Sequence, residues 1–242
     1  MIIDFFRVTI FEPLYNGLIF LISVVPFADV GIAVITLTIL VKLLLFPLSI
    51  KMVKTQLAVR ELEPELKKIK EKYKDDQPEQ ARKTMSLYKE RGVNPFTGIL
   101  LLIIQLPIIF SLYFVFFRGG FPDVRMDILY SFVKVPETVN MMFLGILDVG
   151  GKSMFLAVLT GATQFYQMRL SLPPMKPRGS GPQTLKEDLA RSFNIQMRYI
   201  MPLVIAGVAY VFSAAVALYW TTSNLFAIGQ EIYVRKRIKN KK

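Results

Sequence analysis

The sequence predicts an all-α integral membrane protein with five transmembrane helices, an N-terminal interfacial helix and a cytoplasmic helical hairpin. Three observations carry this expectation. Of the 242 residues, 53% are hydrophobic and 20% charged, with mean hydropathy +0.43; an ordinary soluble domain is less apolar. Apolar runs recur at lengths that match a hydrocarbon core of about 30 Å. The 30 Lys and Arg, against 18 Asp and Glu, gather between and after those runs, which makes them markers of topology.

Residues 1–29 contain an apolar stretch from Leu14 to Phe27, broken by Asn16, Gly17 and Pro26. At about 14 residues it is short for a crossing, and it reads as an interfacial helix along the outer leaflet. The opening carries Asp4, Arg7 and Glu12 and lacks the basic start and A-x-A site of a signal peptide, so it reads as part of the mature chain. The core, 30–233, begins with a span at about 30–48, interrupted only by Lys42; further spans lie at about 97–117 and 152–170.

The end of the chain is resolved by charge. Residues 200–228 are almost continuously apolar, and such a helix would be about 43 Å long, more than a core of about 30 Å. It is one tilted helix or two short ones folded back near Phe212-Ser213-Ala214. Lys and Arg number 12 in 51–96, 6 in 169–198 and 6 in 235–242, against 4 in 118–152 and 1 in 1–29. Positive residues stay cytoplasmic. With the N-terminus outside, the hairpin 51–94, the linker 171–198 and the basic tail 234–242 all lie inside only if the last run crosses twice, as spans 199–212 and 214–232. The turn between them contains no Gly or Pro, so it rests on parity.

The cytoplasmic insert is polar and rich in helix formers. Leu62, Leu66, Ile69 and Tyr73 recur at helical spacing, and Ala81, Met85 and Tyr88 repeat it, which predicts two amphipathic helices. Asp75-Asp76-Gln77-Pro78 separates and caps them, and Gly92 and Pro95 end the second. The hairpin is either a solvated helical loop or a contact arm reaching lipid headgroups, ribosomal RNA or a nascent chain. It lacks the aromatic interleaving of single-strand binders, which argues against sequence-specific nucleic-acid recognition. The linker 171–198, rich in Pro and Gly, reads as flexible, and its Gly179-Ser180-Gly181 is no dinucleotide fingerprint.

The chain has no Cys and no His, which excludes disulfides, thiolate nucleophiles, imidazole bases, Ser-His-Asp triads and thiolate or imidazole zinc sites. Lys42 is the informative charge. It lies near the middle of its span, where a cation costs on the order of 2.5–3.5 kcal/mol. Snorkelling toward the cytoplasmic interface, roughly 9 Å away along the helix, is one way out. The other is a water-filled cavity. Thr38 sits one turn away on the same face, with Thr36 near. Gln105 and Ser111, then Thr160, Thr163, Gln164 and Gln167, then Thr221, Thr222, Ser223 and Asn224 add polar groups at membrane depth. Each alone is ordinary interhelical glue. This reading finds no Asp or Glu inside the spans to neutralise Lys42, which points to hydration open to the cytoplasmic side. A Ser/Lys dyad would need Ser111, Ser213 or Ser223 from another span, because Ser49 lies about 10 Å away along the axis. Pro107 reads as a kink, and Pro47 and Pro202 as span-end residues.

The segments LTILVKLLLFPLSIK, LEPELKKIKEKYKDD, LYKERGVNPFTGILLLIIQLPIIFSLYFV, MPLVI and ALYWTTSNLFAIGQEIY together resemble the YidC/Oxa/Alb family of membrane protein insertases, in family order over most of 30–233. The resemblance implies five core spans, an outside N-terminus, a cytoplasmic hairpin and a hydrophilic groove open to cytoplasm and lipid. Lys42 is similar in position to the family's groove cation, commonly Arg. With Thr38, Gln105, Gln164, Gln167, Trp220 and Asn224 it forms the expected substrate groove, and Leu62, Leu66, Ile69, Tyr73, Met85 and Tyr88 form the expected hairpin contact. Three departures stand out. The family's Pro-Ser-Gly-like turn is Phe212-Ser213-Ala214-Ala215 here, Lys replaces a planar fork by a point charge, and neither the large extracytoplasmic domain nor a lipoprotein cysteine of other members is present, as in a minimal core.

The expected function is a membrane protein insertase of the bacterial plasma (inner) membrane, with N-terminus outside and C-terminus cytoplasmic. It would move short hydrophilic tails of small membrane proteins through the groove and release their spans into lipid. No Walker-type motif is present to bind ATP, so nucleotide hydrolysis, enzymatic catalysis, cofactors and metals are not expected. Expected partners are newly made membrane proteins and the bilayer, with the ribosome and a Sec translocon as candidates. The alternative is a small-molecule or ion transporter using Lys42 as an anion site, against which the spans show no obvious inverted repeat.

Overall fold

The computed structural model describes residues 2–94, 106–111, 113–116, 123–172 and 191–240. Of the sequence expectations, Gln105, Pro95, the first part of the span at 97–117 and most of the Pro- and Gly-rich linker lie outside the described residues. The chain forms two compact units, one of Met1–Leu44 with Leu106–Ile232, the other of Leu45–Gln105 with Tyr233–Lys242.

The first unit opens with α1 (Ile2–Phe6), a π turn at Arg7–Phe11 and α2 (Glu12–Val24). Together Asp4–Val24 make 21 helical residues, long and apolar enough to cross a membrane. The helix is thus longer than the stretch of about 14 residues that hydropathy isolates. The charges that break the apolar run, Arg7 and Glu12, pair with each other at 3.1 Å. Pro13 stands in the first turn of α2 and cannot donate to the carbonyl four residues back, so the preceding turn widens. The same device recurs at Pro202, where the π turn Gln196–Ile200 precedes α9 (Met201–Val211). Residues 191–200 are helical, so the linker expected over 171–198 is shorter than its composition suggested.

Asp29 starts α3 (Val30–Leu44): its Oδ1 accepts the Ile32 N–H at 3.0 Å, satisfying a donor left open at a helix start. The helix stops at Leu44, short of the expected end near 48. Pro47, in the first turn of α4 (Phe46–Glu61), removes an N–H from the ladder. α7 (Leu106–Phe116) follows, then a cap over 123–151 containing the hairpin β1 (Met142–Phe143) and β2 (Leu147–Asp148), antiparallel with Phe143 opposite Leu147. Then come α8 (Met154–Ser171), N-capped by Ser153, α9, and α10 (Ala214–Lys239). Phe212 is extended between α9 and α10. α10 runs past the expected end at 232, so the basic tail continues a helix, with no Gly or Pro after Gly229 to stop it.

The cap holds one end of this unit together. Val30 N–H donates to Asn140 O at 3.0 Å, and Asn140 N–H to Ala28 O at 3.1 Å. Asn16, which the sequence reading took as a break, is buried and clasps the cap: its Nδ2 donates to Ile128 O at 2.9 Å and its Oδ1 accepts the Tyr130 N–H at 2.7 Å. The first N–H groups of α10 donate into the same cap, Ala214 to Gly151 O at 2.7 Å and Ala215 to Val149 O at 2.9 Å. The starts of α3, α8 and α10 therefore share one end, and α9 runs the other way.

A polar seam joins α8 to α10. The Thr160 hydroxyl lies 2.8 Å from Leu156 O, 3.1 Å from Ala217 O and 2.9 Å from the Thr221 hydroxyl. Asn224 Nδ2 donates to Thr163 Oγ1 at 3.2 Å, and Ser171 Oγ donates to Glu231 Oε2 at 2.6 Å. The three pairs are 61, 61 and 60 residues apart. A constant offset means two helices running in the same direction in fixed register. On its other side α8 meets α9 at Gly161, where an added Cβ would sit 2.9 Å from Ala206 Cβ and 3.2 Å from Pro202 O, the close approach that small residues permit in membranes.

The second unit contains α4, α5 (Glu63–Lys72) and α6 (Gln77–Glu90). The first arm of the hairpin is two helices rather than one, because Pro64 restarts the ladder after Leu62. Asp76 Oδ1 caps α6 through the Glu79 N–H at 3.0 Å, and Gln80 Nε2 donates to Lys70 O at 3.0 Å across the turn. Arg91 bridges α6 to α5 with two bonds to Glu65, 2.8 and 3.0 Å. The Arg82 guanidinium bonded to the Glu79 carboxyl holds it below the usual carboxylate range.

Gly161→Leu is expected to overpack the α8–α9 crossing and lower stability by about 1–3 kcal/mol, read by reversible unfolding in micelles. Thr160→Val keeps the shape but removes the seam's hydroxyl, and the same measurement should fall by about 0.6–2 kcal/mol.

Candidate functional site

Periodicity on α3 decides which way Lys42 faces. Val30, Val34 and Thr38 are buried at steps of four, and Lys42, the next step, is half-buried on the same stripe. The exposed large side chains are Ile39, Leu40, Leu43 and Leu44, on the opposite side of the helix. The apolar face is the one a bilayer solvates. Lys42 therefore projects from the stripe that packs inward.

Beside that stripe is a cavity of about 10 Å³ lined by Leu14, Leu37, Thr38, Val41, Ile108 and Tyr219, space on the order of a single water. Thr38, one of the lining residues, donates its hydroxyl to Val34 O at 2.6 Å. Ile108 comes from α7, whose Tyr113 ring lies 4.8 Å from the Phe212 ring. α7 thus runs from the level of Thr38 toward the cap.

The remaining sequence-predicted groove residues divide by geometry. Asn224 is buried in the α8–α10 seam and used by Thr163, so its amide holds two helices together. Gln164 and Gln167 are half-buried on α8, with Gln164 Nε2 3.4 Å from Gln167 Oε1. Trp220 is half-buried on α10, and Gln105 lies outside the described residues. The seam also takes up Thr160, Thr163 and Thr221, and Thr222 donates to Leu218 O at 2.8 Å. Ser111 Oγ is buried and has no hydrogen-bond partner among the described residues.

Two acidic residues carry structure that hydropathy did not assign. Glu231 is buried against Ser171, so an acid does sit within the expected last span, at the end of α8 and away from the cap. Its signal was only the polar pair Gln230-Glu231 closing an apolar run. Asp29 is the cap of α3 and also binds the hairpin, its Oδ2 accepting the Leu144 N–H at 2.8 Å; an Asp just before an apolar run is a readable N-cap.

On the hairpin, Leu62 and Leu87 are buried, Leu66, Ile69, Tyr73 and Tyr88 are half-buried, and Met85 is exposed. The inward residue of α6 is Leu87, which the periodicity of Ala81, Met85 and Tyr88 had passed over. Burial pushes the Tyr88 phenol up.

Residues 21–241 match the family described as 60Kd inner membrane protein. Curated relatives named Membrane protein insertase YidC include one from Clostridium tetani, 33% identical over 87% of this chain and 84% of that protein. Another, from Oceanobacillus iheyensis, is 32% identical over 88% of this chain and 77% of its own length. A third, from Clostridium acetobutylicum, is 36% identical over 83% and 71%. The stripe that carries Lys42, the cap and the α8–α10 seam all lie within or overlap the matched region, and the chain belongs to the 60Kd inner membrane protein family.

Proposed function

We propose that this protein inserts small membrane proteins into the bacterial inner membrane, with its N-terminus outside and its C-terminus cytoplasmic, and that it does so without nucleotide hydrolysis. The observation that carries the reading is the position of Lys42. It is a half-buried cation on the inward stripe of the apolar helix α3, in a chain whose relatives are named for membrane protein insertion. A cation there attracts acidic residues in a substrate's short hydrophilic tail, and water around it shortens the low-dielectric path the tail must cross. Thr38, Gln105, Gln164, Gln167 and Trp220 are the further groups proposed to wet or line that path, while Asn224 braces its wall.

The driving force is transfer of the substrate's apolar span to lipid, about 25 cal/mol per Å² removed from water. The span leaves beside the apolar face formed by Ile39, Leu40, Leu43 and Leu44. On the cytoplasmic side the hairpin, through Leu66, Ile69, Tyr73, Met85 and Tyr88, receives newly made chains. The basic end of α10 meets anionic headgroups or a ribosome, and a Sec translocon is a further proposed partner.

The test is insertion of a single-span substrate with an acidic N-terminal tail into liposomes, read by protease protection. Wild type and Lys42→Arg should protect the tail, and Lys42→Leu should lose about an order of magnitude of insertion by removing the charge. Equal insertion by all three would remove Lys42 from the mechanism. No insertion above empty liposomes by folded wild type would remove the insertase reading itself.

A further inference from the structure

The tip of the cap is built against ordinary turn chemistry. Ile146 N–H donates to Phe143 O at 3.0 Å, closing a tight turn whose central residues Leu144 and Gly145 have φ of +52° and +72°. Such a turn favours Asn-Gly, because the first position is left-handed. Here it holds a leucine. Next to it, Phe27 and Ala28 also have positive φ, +60° and +51°. Left-handed backbone in non-glycine residues is costly and persists where the surroundings impose it.

Here a network of hydrogen bonds imposes it. The buried Asp29 binds Leu144 N–H through Oδ2 while capping α3 through Oδ1, and Asn140 pairs with Ala28 and Val30. Phe143 packs against Gly31, where an added Cβ would clash with its Cβ and ring carbons. The knot fixes two strained segments side by side at the first residue of α3, and what they present outward is apolar. Phe27 is 87% exposed, Leu144 62% and Ile146 84%. Residues 138–147, TVNMMFLGIL, contain no charge, whereas 123–137 contain five.

We infer that Phe27, Leu144 and Ile146 form an apolar wedge that enters the acyl region of the leaflet at the N-terminal end of α3. Lipid is the occupant because the wedge is continuous with the apolar helix α3 of a chain in an inner membrane protein family. Asp29 ties it to the first turn of α3, which places it at the level where water gives way to hydrocarbon. Three large apolar side chains this exposed would be unfavourable in water. An apolar leucine at the turn's left-handed position has no advantage there, but in lipid it is preferred to asparagine. The wedge anchors the cap, and through Val149 and Gly151 the start of α10, to one depth in the bilayer. The inference rests on the membrane placement of α3 and not on insertion activity.

The chain has one Trp and no Cys, which makes the test clean. In Trp220→Phe, single reporters Phe27→Trp, Ile146→Trp and, for comparison, Lys134→Trp are reconstituted in vesicles of acyl-chain-brominated phosphatidylcholine. The wedge reporters should emit to the blue and lose most of their intensity to bromine, and the Lys134 position should not. Adding Leu144→Asn should relax the turn yet weaken quenching at Ile146→Trp. Red emission open to an aqueous quencher overturns the inference and leaves the tip as a protein-docking face; quenching unchanged by Leu144→Asn removes Leu144 from the anchor and also overturns it. Ile146→Cys carrying an environment-sensitive dye gives the same readout with Trp220 intact.

Discussion

Inside a bilayer, a polar group must be partnered by protein or by trapped water, because the surrounding hydrocarbon offers nothing. The rest of this structure depends on how that demand is met. Along α8 and α10 it is met by side chains: Thr160 with Thr221, Thr163 with Asn224, Ser171 with Glu231. Each pair is modest alone, but three in one register leave the helices a single way to align. At helix starts the demand is met by Asp29, by Ser153 and by the cap carbonyls that receive the first N–H groups of α10. The seam's amides and hydroxyls are thereby committed to structure.

Four breaks in helix geometry follow from proline. Pro13 and Pro202 are each the second residue after a five-residue π turn, and Pro47 and Pro64 each restart a helix after one intervening residue. In every case the missing N–H is moved to a first turn, where no intrahelical partner is required. The chain thereby changes direction or pitch without leaving a donor buried and unanswered.

Much of this was legible beforehand, and the reasons for the rest are physical. Hydropathy marked the apolar runs of α3 and α8, charge parity divided the run after residue 200 into two helices, and turn chemistry marked the cap at Asp76. The length of the N-terminal helix was hidden because Arg7 and Glu12 count as breaks in hydropathy yet neutralise each other across the π turn. The threonines of α8 were legible as polar but not as seam or groove, since the choice is made by the register of α10, a tertiary fact. Periodicity passed over Leu87, the buried residue of α6, because the face α6 turns inward is chosen by packing rather than by spacing alone. Lys42 was legible because a cation in an apolar run is conspicuous, and α3's alternation of buried and exposed faces then fixed its direction.

The central claim is that the inward stripe of α3 is wet and the opposite face is not. Single cysteines in this naturally cysteine-free chain test it directly, using a membrane-impermeant maleimide added to the cytoplasmic side of reconstituted vesicles. Lys42→Cys should be labelled, while Leu40→Cys and Leu43→Cys stay protected until the bilayer is dissolved. Protection at all three positions, or labelling that follows depth and ignores the face, would contradict the account.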